Sequence, residues 1–338
     1  MKAEDNISFD KQIYYRLIAL WVVCESVIGG IIHGFKLPFS GLIVGSSAVV
    51  CISLIAFYVP VKGAILKATI IVAIFKMTLS PQTPPTAYIA VFFQGMMGQI
   101  LFYNLRHYKL SCMLLGVFAL VESALQRIIV LTLLYGATFW KAINEFISKL
   151  TNQKQITNYS LLITGGYILL HVFFGLLVGS FAARLVKRSE KWKMLHNDFI
   201  IHFHDDIDTT APEKKTSSKK KVKIFFIFIW IALIILFLQS FLHIGKPIIP
   251  LQVSLQIILR SLLIILTWHF LVSPLLIRWM RKWLSAQHSK FNNDINNILI
   301  ILPSTKYIFL KSWKFSSIAK GWKRIPFFCK ILLLNTLR

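Results

Sequence analysis

Acidic residues are scarce in this chain: 13 Asp and Glu stand against 38 Lys and Arg in 338 residues, a formal net charge of +25. Charged residues of either sign make up only 15%, against 56% hydrophobic, and the mean hydropathy is +0.66. So little polar material cannot cover a soluble domain, whereas apolar runs of about 20 residues can cross a bilayer. Cysteines are few as well. Cys24, Cys51, Cys112 and Cys329 stand singly in apolar surroundings with no C-x-x-C, which indicates neither a disulfide framework nor a zinc site. Missing too are G-x-x-x-x-G-K-[ST], H-E-x-x-H and G-x-S-x-G, so no phosphate loop, zincin helix or nucleophile elbow is encoded. The basic residues lie beside the apolar runs and in the tail. There they act as topology signals and meet anionic lipids, and nucleic acid is not an expected partner.

What is present is a set of long apolar stretches, read as spans over 13–33, 40–59, 63–80, 86–104, 110–137, 159–185, 223–243 and 253–278. The expectation is an all-α polytopic membrane protein of eight transmembrane helices, six plus two. Residues 1–186 would form a six-span substrate-binding module, 187–222 a basic linker, and 223–338 a two-span module with basic amphipathic helices at its end. No small-residue cleavage pattern follows the first apolar run, which is therefore read as a retained span. Eleven Lys and Arg between Arg184 and Lys223, and twelve from Arg278 onward with Asp294 as the sole acid, place both segments inside the cell. The N- and C-termini are then cytoplasmic, in a bacterial inner membrane. Residues 138–158 read as an amphipathic helix on the outer surface, Phe139, Trp140, Ile143, Phe146, Ile147 and Leu150 opposing Lys141, Asn144, Glu145 and Lys149.

Charges at membrane depth are costly and ask for a partner or a wet pocket. In the proposed orientation Glu25, Lys76, Gln94, Glu122, Gln126, Arg127 and His171 share the outer half of the bilayer. The first six of these are the candidate substrate-binding residues. A mixed set beside Tyr88, Phe92 and Phe93 suits a small polar or zwitterionic solute. The competing reading is that Glu25 or Glu122 pairs with Arg127 only to hold helices together. Gly95 and Gly98 in the fourth span, like Gly41 and Gly45 in the second, allow close helix approach.

Six short spans of mixed polarity, a pocket toward the outer side, and the run Phe93-Gln94-Gly95-Met96-Met97-Gly98-Gln99-Ile100-Leu101-Phe102 after the proline-rich Ser80–Thr86 together resemble the substrate-binding S components of energy-coupling factor (ECF) transporters over residues 1–186. The second module resembles a reduced T component of the same transporters. Ser316-Ser317-Ile318-Ala319-Lys320-Gly321-Trp322 looks like the Ala-Arg-Gly element of coupling helices, with lysine in place of arginine. The resemblance implies uptake of a vitamin-like solute, with Lys320, Gly321 and Arg324 as partner-coupling residues. It also implies two kinds of partner, ABC-type ATPase subunits and a separate transmembrane scaffold, and ATP used by the ATPase partner with no cofactor in this chain. Read from pattern alone, the same tail forms basic amphipathic helices resting on anionic lipid.

Two rival classes remain. His202, His204 and Asp206 lie within a His/Asp-rich stretch over 196–208. They match no metal-ligand spacing and border a polar run, so a solvated loop is favoured over a metal site. The chain is not expected to be an enzyme. The alternative function is an integral-membrane enzyme or assembly factor acting on lipid or cell-envelope precursors, with Glu122 and His171 as acid and base. The topology is directly testable. Single-cysteine accessibility mapping is expected to find residue 83 outside and residue 215 with the C-terminus inside, and residues 83 and 215 on one side of the membrane would contradict the six-plus-two arrangement.

Overall fold

The fold was analysed in a computed structural model that describes residues 2–34, 40–80, 83–103, 107–151, 158–195, 201, 262, 264–268 and 272–337. No strand occurs among them. The helices are α1 (Lys2–Val22), a π-helical turn (Val23–Ile28), α2 (Gly29–Gly34), α3 (Ser40–Tyr58), α4 (Ala64–Leu79), α5 (Pro85–Leu101), α6 (Tyr108–Leu150), α7 (Tyr159–Leu195), α8 (Ser273–Lys290), α9 (Asn292–Phe315) and α10 (Arg324–Thr336), with 3-10 turns at Ser316–Ile318 and Gly321–Lys323. Local sequence accounts for several of these ends. Gly63 takes φ 83° before α4, a left-handed conformation that glycine adopts without strain. Pro85 opens α5 where no backbone N–H is needed.

Among the described residues, four helical stretches are long and apolar enough to cross a membrane: Lys11–Ile32, Ser40–Tyr58, Tyr108–Ala137 and Tyr159–Val186. The expected count of eight is not supported. Helices α4 and α5 have 16 and 17 residues, about 24 and 26 Å at 1.5 Å per residue, short of a hydrocarbon core of about 30 Å. The expected span over 223–243, most of that over 253–278, and the His202–Asp206 cluster lie outside the described residues. The helix expected to begin afresh at 138 is instead the continuation of α6, bent at Gly136, whose φ of 73° and ψ of −173° only glycine holds easily.

By packing, the described residues gather into two compact units, one within 1–123, 170–207 and 277–338, the other within 124–169 and 208–276. In the second, Trp140 Nε1 donates to Thr132 Oγ1 at 3.1 Å across the Gly136 bend, and Asn144 Oδ1 accepts from the Ser160 backbone N–H at 2.6 Å. Phe146 and Leu150 are exposed, the pattern of an apolar face turned to lipid.

The first unit is built around α1. From Leu17 to Val23 every residue is at most 3% exposed, so α1 is covered on all faces, as expected of a helix hydrophobic all round. Helices α3, α4, α9 and α10 supply the cover. Around this centre, small residues let backbones meet. A Cβ on Gly95 would stand 2.0 Å from Thr69 Oγ1, and one on Gly98 2.5 Å from Ile52. A backbone-to-backbone crossing was not foreseen: a Cβ on Gly116 of α6 would lie 2.2 Å from the Gly175 carbonyl oxygen, and one on Gly179 2.4 Å from that of Cys112. Gly175 and Gly179 form a G-x-x-x-G pair, a pattern readable in the sequence.

Backbone cannot yield as a flexible side chain can. Gly116→Ala is expected to cost about 1–3 kcal/mol of stability. Gly165→Ala, where an added Cβ meets nothing within 4 Å, should gain about 0.5–1 kcal/mol from helix propensity. Thermal unfolding in detergent compares the two, and equal effects would contradict the close crossing.

Candidate functional site

The π-helical turn inserts one extra residue into α1, and Gly29 N–H donates to the Cys24 carbonyl. Such turns occur often at functional sites. This one presents Glu25 toward the last turn of α4, where Lys76 Nζ donates to Glu25 Oε2 at 2.7 Å. Both side chains are 1% exposed. Lys76 Nζ also lies 3.5 Å from the Ala87 carbonyl and 5.9 Å from the centre of the Tyr88 ring, both in α5. Ser80, just after α4, turns back toward the π-helical turn. Ser80 N–H donates to the Lys76 carbonyl at 3.0 Å and Thr83 N–H to that of Ser80 at 3.0 Å, while the Ser80 hydroxyl donates to the carbonyl of Ser26.

Several buried polar atoms of this unit have no hydrogen-bond partner among the described residues, including Ser26 Oγ, Thr83 Oγ1 and Gln94 Oε1. A buried orphan of this kind costs about 1–3 kcal/mol. Gln94 is buried on α5, its Nε2 3.6 Å from where a Cβ on Gly45 of α3 would stand.

Of the six candidate solute residues, the fold thus brings Glu25 and Lys76 into direct contact. Gln94 is buried in the same unit and Glu122 is half-buried there. Gln126, half-buried, and Arg127, exposed, belong to the other unit. His171 is buried in the first unit. Pairing of Glu25 with Arg127 is replaced by pairing with Lys76, which lies in the helix packed beside α1.

The C-terminal helices hold a second polar cluster that sequence reading missed. Asp294, in the first turn of α9, accepts from Tyr15 OH of α1 at 2.8 Å and from Lys67 Nζ of α4 at 3.0 Å. Lys67 Nζ also sits 5.7 Å from the centre of the Phe291 ring. An acid there complements the positive end of the helix dipole. Nearby, Trp283 of α8 meets Phe92 of α5 edge to face at 5.7 Å. The available signal was the solitary acid in a basic tail. The proposed coupling residues part company: Lys320 and Gly321 are exposed, but Arg324 is half-buried. Its guanidinium lies 4.2 Å over the Trp313 ring, with Nε donating to Ser316 Oγ at 3.2 Å. Arg324 therefore fastens the α9–α10 turn.

No family model, no curated protein and no solved structure matches the chain.

Removing one partner of the Glu25–Lys76 pair strands the other in an apolar interior. Lys76→Met is expected to destabilise by about 3–5 kcal/mol, and Glu25→Leu added to it should recover most of the loss. Unfolding of the two variants in the same detergent measures this, and a Lys76→Met protein as stable as the parent would refute the buried pair.

Proposed function

We propose that this chain is the solute-binding component of a membrane transporter, taking up a small polar or vitamin-like solute with energy from separate ATPase subunits. The observation that carries the reading is the polar interior of the first unit. A charged pair at a π-helical turn, with orphan acceptors on Ser26, Thr83 and Gln94, is poor material for packing alone, since apolar residues of similar size hold helices as well. It is suitable material for a ligand that brings its own donors. The resemblance of residues 1–186 to ECF S components agrees with this, as does that of the tail to coupling helices.

In this proposal the protein sits in a bacterial inner membrane with both termini inside, its eight spans arranged six plus two. The solute enters from the outer side, past Ser80 and Thr83. The Lys320-Gly321 turn, exposed between α9 and α10, faces the ATPase, and exposed lysines nearby add charge complementarity.

Protein purified from native membranes should release one enriched small molecule on denaturation, identified by mass spectrometry. Gln94→Leu and Thr83→Val should lower its recovery about tenfold by removing single polar contacts, with the melting temperature held. Lys320→Glu with Lys323→Glu should remove co-purifying ATPase subunits. Arg324 is left intact in that variant because it fastens the turn. No enriched molecule, no thermal stabilisation by a vitamin panel and no ATPase partner would together overturn the reading.

A further inference from the structure

Helices α1 and α4 are tied together twice. At one end Tyr15 and Lys67 meet on Asp294, and at the other Glu25 meets Lys76. Ten residues separate the two ties on α1 and nine on α4, about 14–15 Å along either helix. The helices therefore run in the same direction and in register, with Tyr14 OH donating to the Ala64 carbonyl at 2.7 Å as a further contact beside the first tie. Only the first tie includes a residue from the C-terminal helices.

We infer that Asp294 seats the α9–α10 hairpin on α1 and α4, and that this seating controls whether the buried Glu25–Lys76 pair stays closed. Three observations lead there. Asp294 is the one acid among the twelve cations from Arg278 onward, so no neighbouring carboxylate can take its place on Lys67. Helix α1 is enclosed on every face, with α9 as its most extensive neighbour, and it cannot shift while that wall is in place. Finally, the π-helical turn contains Glu25 and begins at Val23, on the side facing the first tie. Conversion of that turn to α-helix would take up its extra residue and turn Glu25 about the helix axis relative to Tyr15. The pair would open while the Asp294 tie stayed at its post. The π turn is thus an element with two discrete arrangements, which coupling between separated sites requires. The inference does not depend on the identity of any solute.

Native cysteines report on the hairpin and on the pair, Cys329 and Cys24 both lying toward the Glu25 end of α1. Cys24 adjoins Glu25 and is 7% exposed, Cys329 on α10 is half-buried, and Cys112 on α6 is fully buried. Membranes containing the full chain are treated with N-ethylmaleimide, and the rate at each cysteine is followed by mass spectrometry. Asp294→Asn is expected to raise the rates at Cys329 and Cys24 by about tenfold, as a local opening does when it loses a charge-assisted hydrogen bond, with Cys112 unchanged. Lys67→Asp combined with Asp294→Lys should restore protection at both. Faster reaction at Cys329 alone overturns the coupling, and no change at either overturns the seating. Should Asp294→Asn expose Cys112 as well, the variant has unfolded and the charge-swapped protein decides. Protection restored supports the inference, and protection still lost overturns it.

Discussion

A helix buried on every side needs a wall on every side, and the first unit is organised by that requirement. Between Leu17 and Val23 no face of α1 is left for lipid or water. Helices α3 and α4 cannot enclose it alone. The remaining wall comes from α9 and α10, nearly three hundred residues away in the chain. A polar group in this stretch is costly unless it is matched inside the bundle, because water is excluded. Tyr14 meets the Ala64 carbonyl, Tyr15 meets Asp294 and Glu25 meets Lys76, whereas Trp21 Nε1 has no hydrogen-bond partner among the described residues.

Two kinds of contact divide the task of assembling the helices. Lipid tails are as apolar as leucine, so burial of apolar surface does not by itself draw helices together within a bilayer. Close approach at small residues supplies dispersion contacts and fixes distance, as at Gly116 with Gly175 and at Gly95 with Thr69. These contacts carry no charge or hydrogen-bond pairing and so fix distance more than register. Polar ties specify it strongly, because a slip of one residue separates donor from acceptor. The α1–α4 pair carries such ties at both ends, whereas the described crossing of α6 and α7 rests on glycine.

Much of this was legible in the sequence and some of it was not. Helical character followed from apolar runs without alternation, and the close approaches at Gly95 and Gly98 from their small size. Glu25 and Lys76 were placed at one depth by counting along the spans. That Lys76 and not Arg127 takes Glu25 was not legible, because which helices lie side by side depends on packing among many residues far apart in sequence. The span count is not supported where length bears on it, since α4 and α5 look apolar enough but are short. The tail failed for another reason. A basic amphipathic pattern is the same whether its apolar face meets lipid or protein, so Ile295, Ile298 and Ile308, all buried, could not be told from membrane-facing residues. Arg324 looked like a free docking charge until Trp313 and Ser316 were seen to hold it.

Scarcity of acid turns this ambiguity into specificity. A tail with many carboxylates could dock on Lys67 in several registers of similar energy, each exposing a different face. With Asp294 alone against twelve cations, only one register brings opposite charges together, and a slip of one turn sets Lys290 or the uncharged Asn297 and Ile298 in its place. The cations within the hairpin are accommodated without spending that carboxylate. Arg324 stacks on Trp313, Lys311 lies 5.1 Å from the Tyr307 ring centre, and Lys330 faces Trp192 at 5.9 Å. An aromatic face attracts a cation by about 0.5–1 kcal/mol at an exposed site, enough to orient it but too little to compete with an ion pair for the seat on α1. Positive charge can therefore be abundant in this segment and still leave its place on the bundle singly defined.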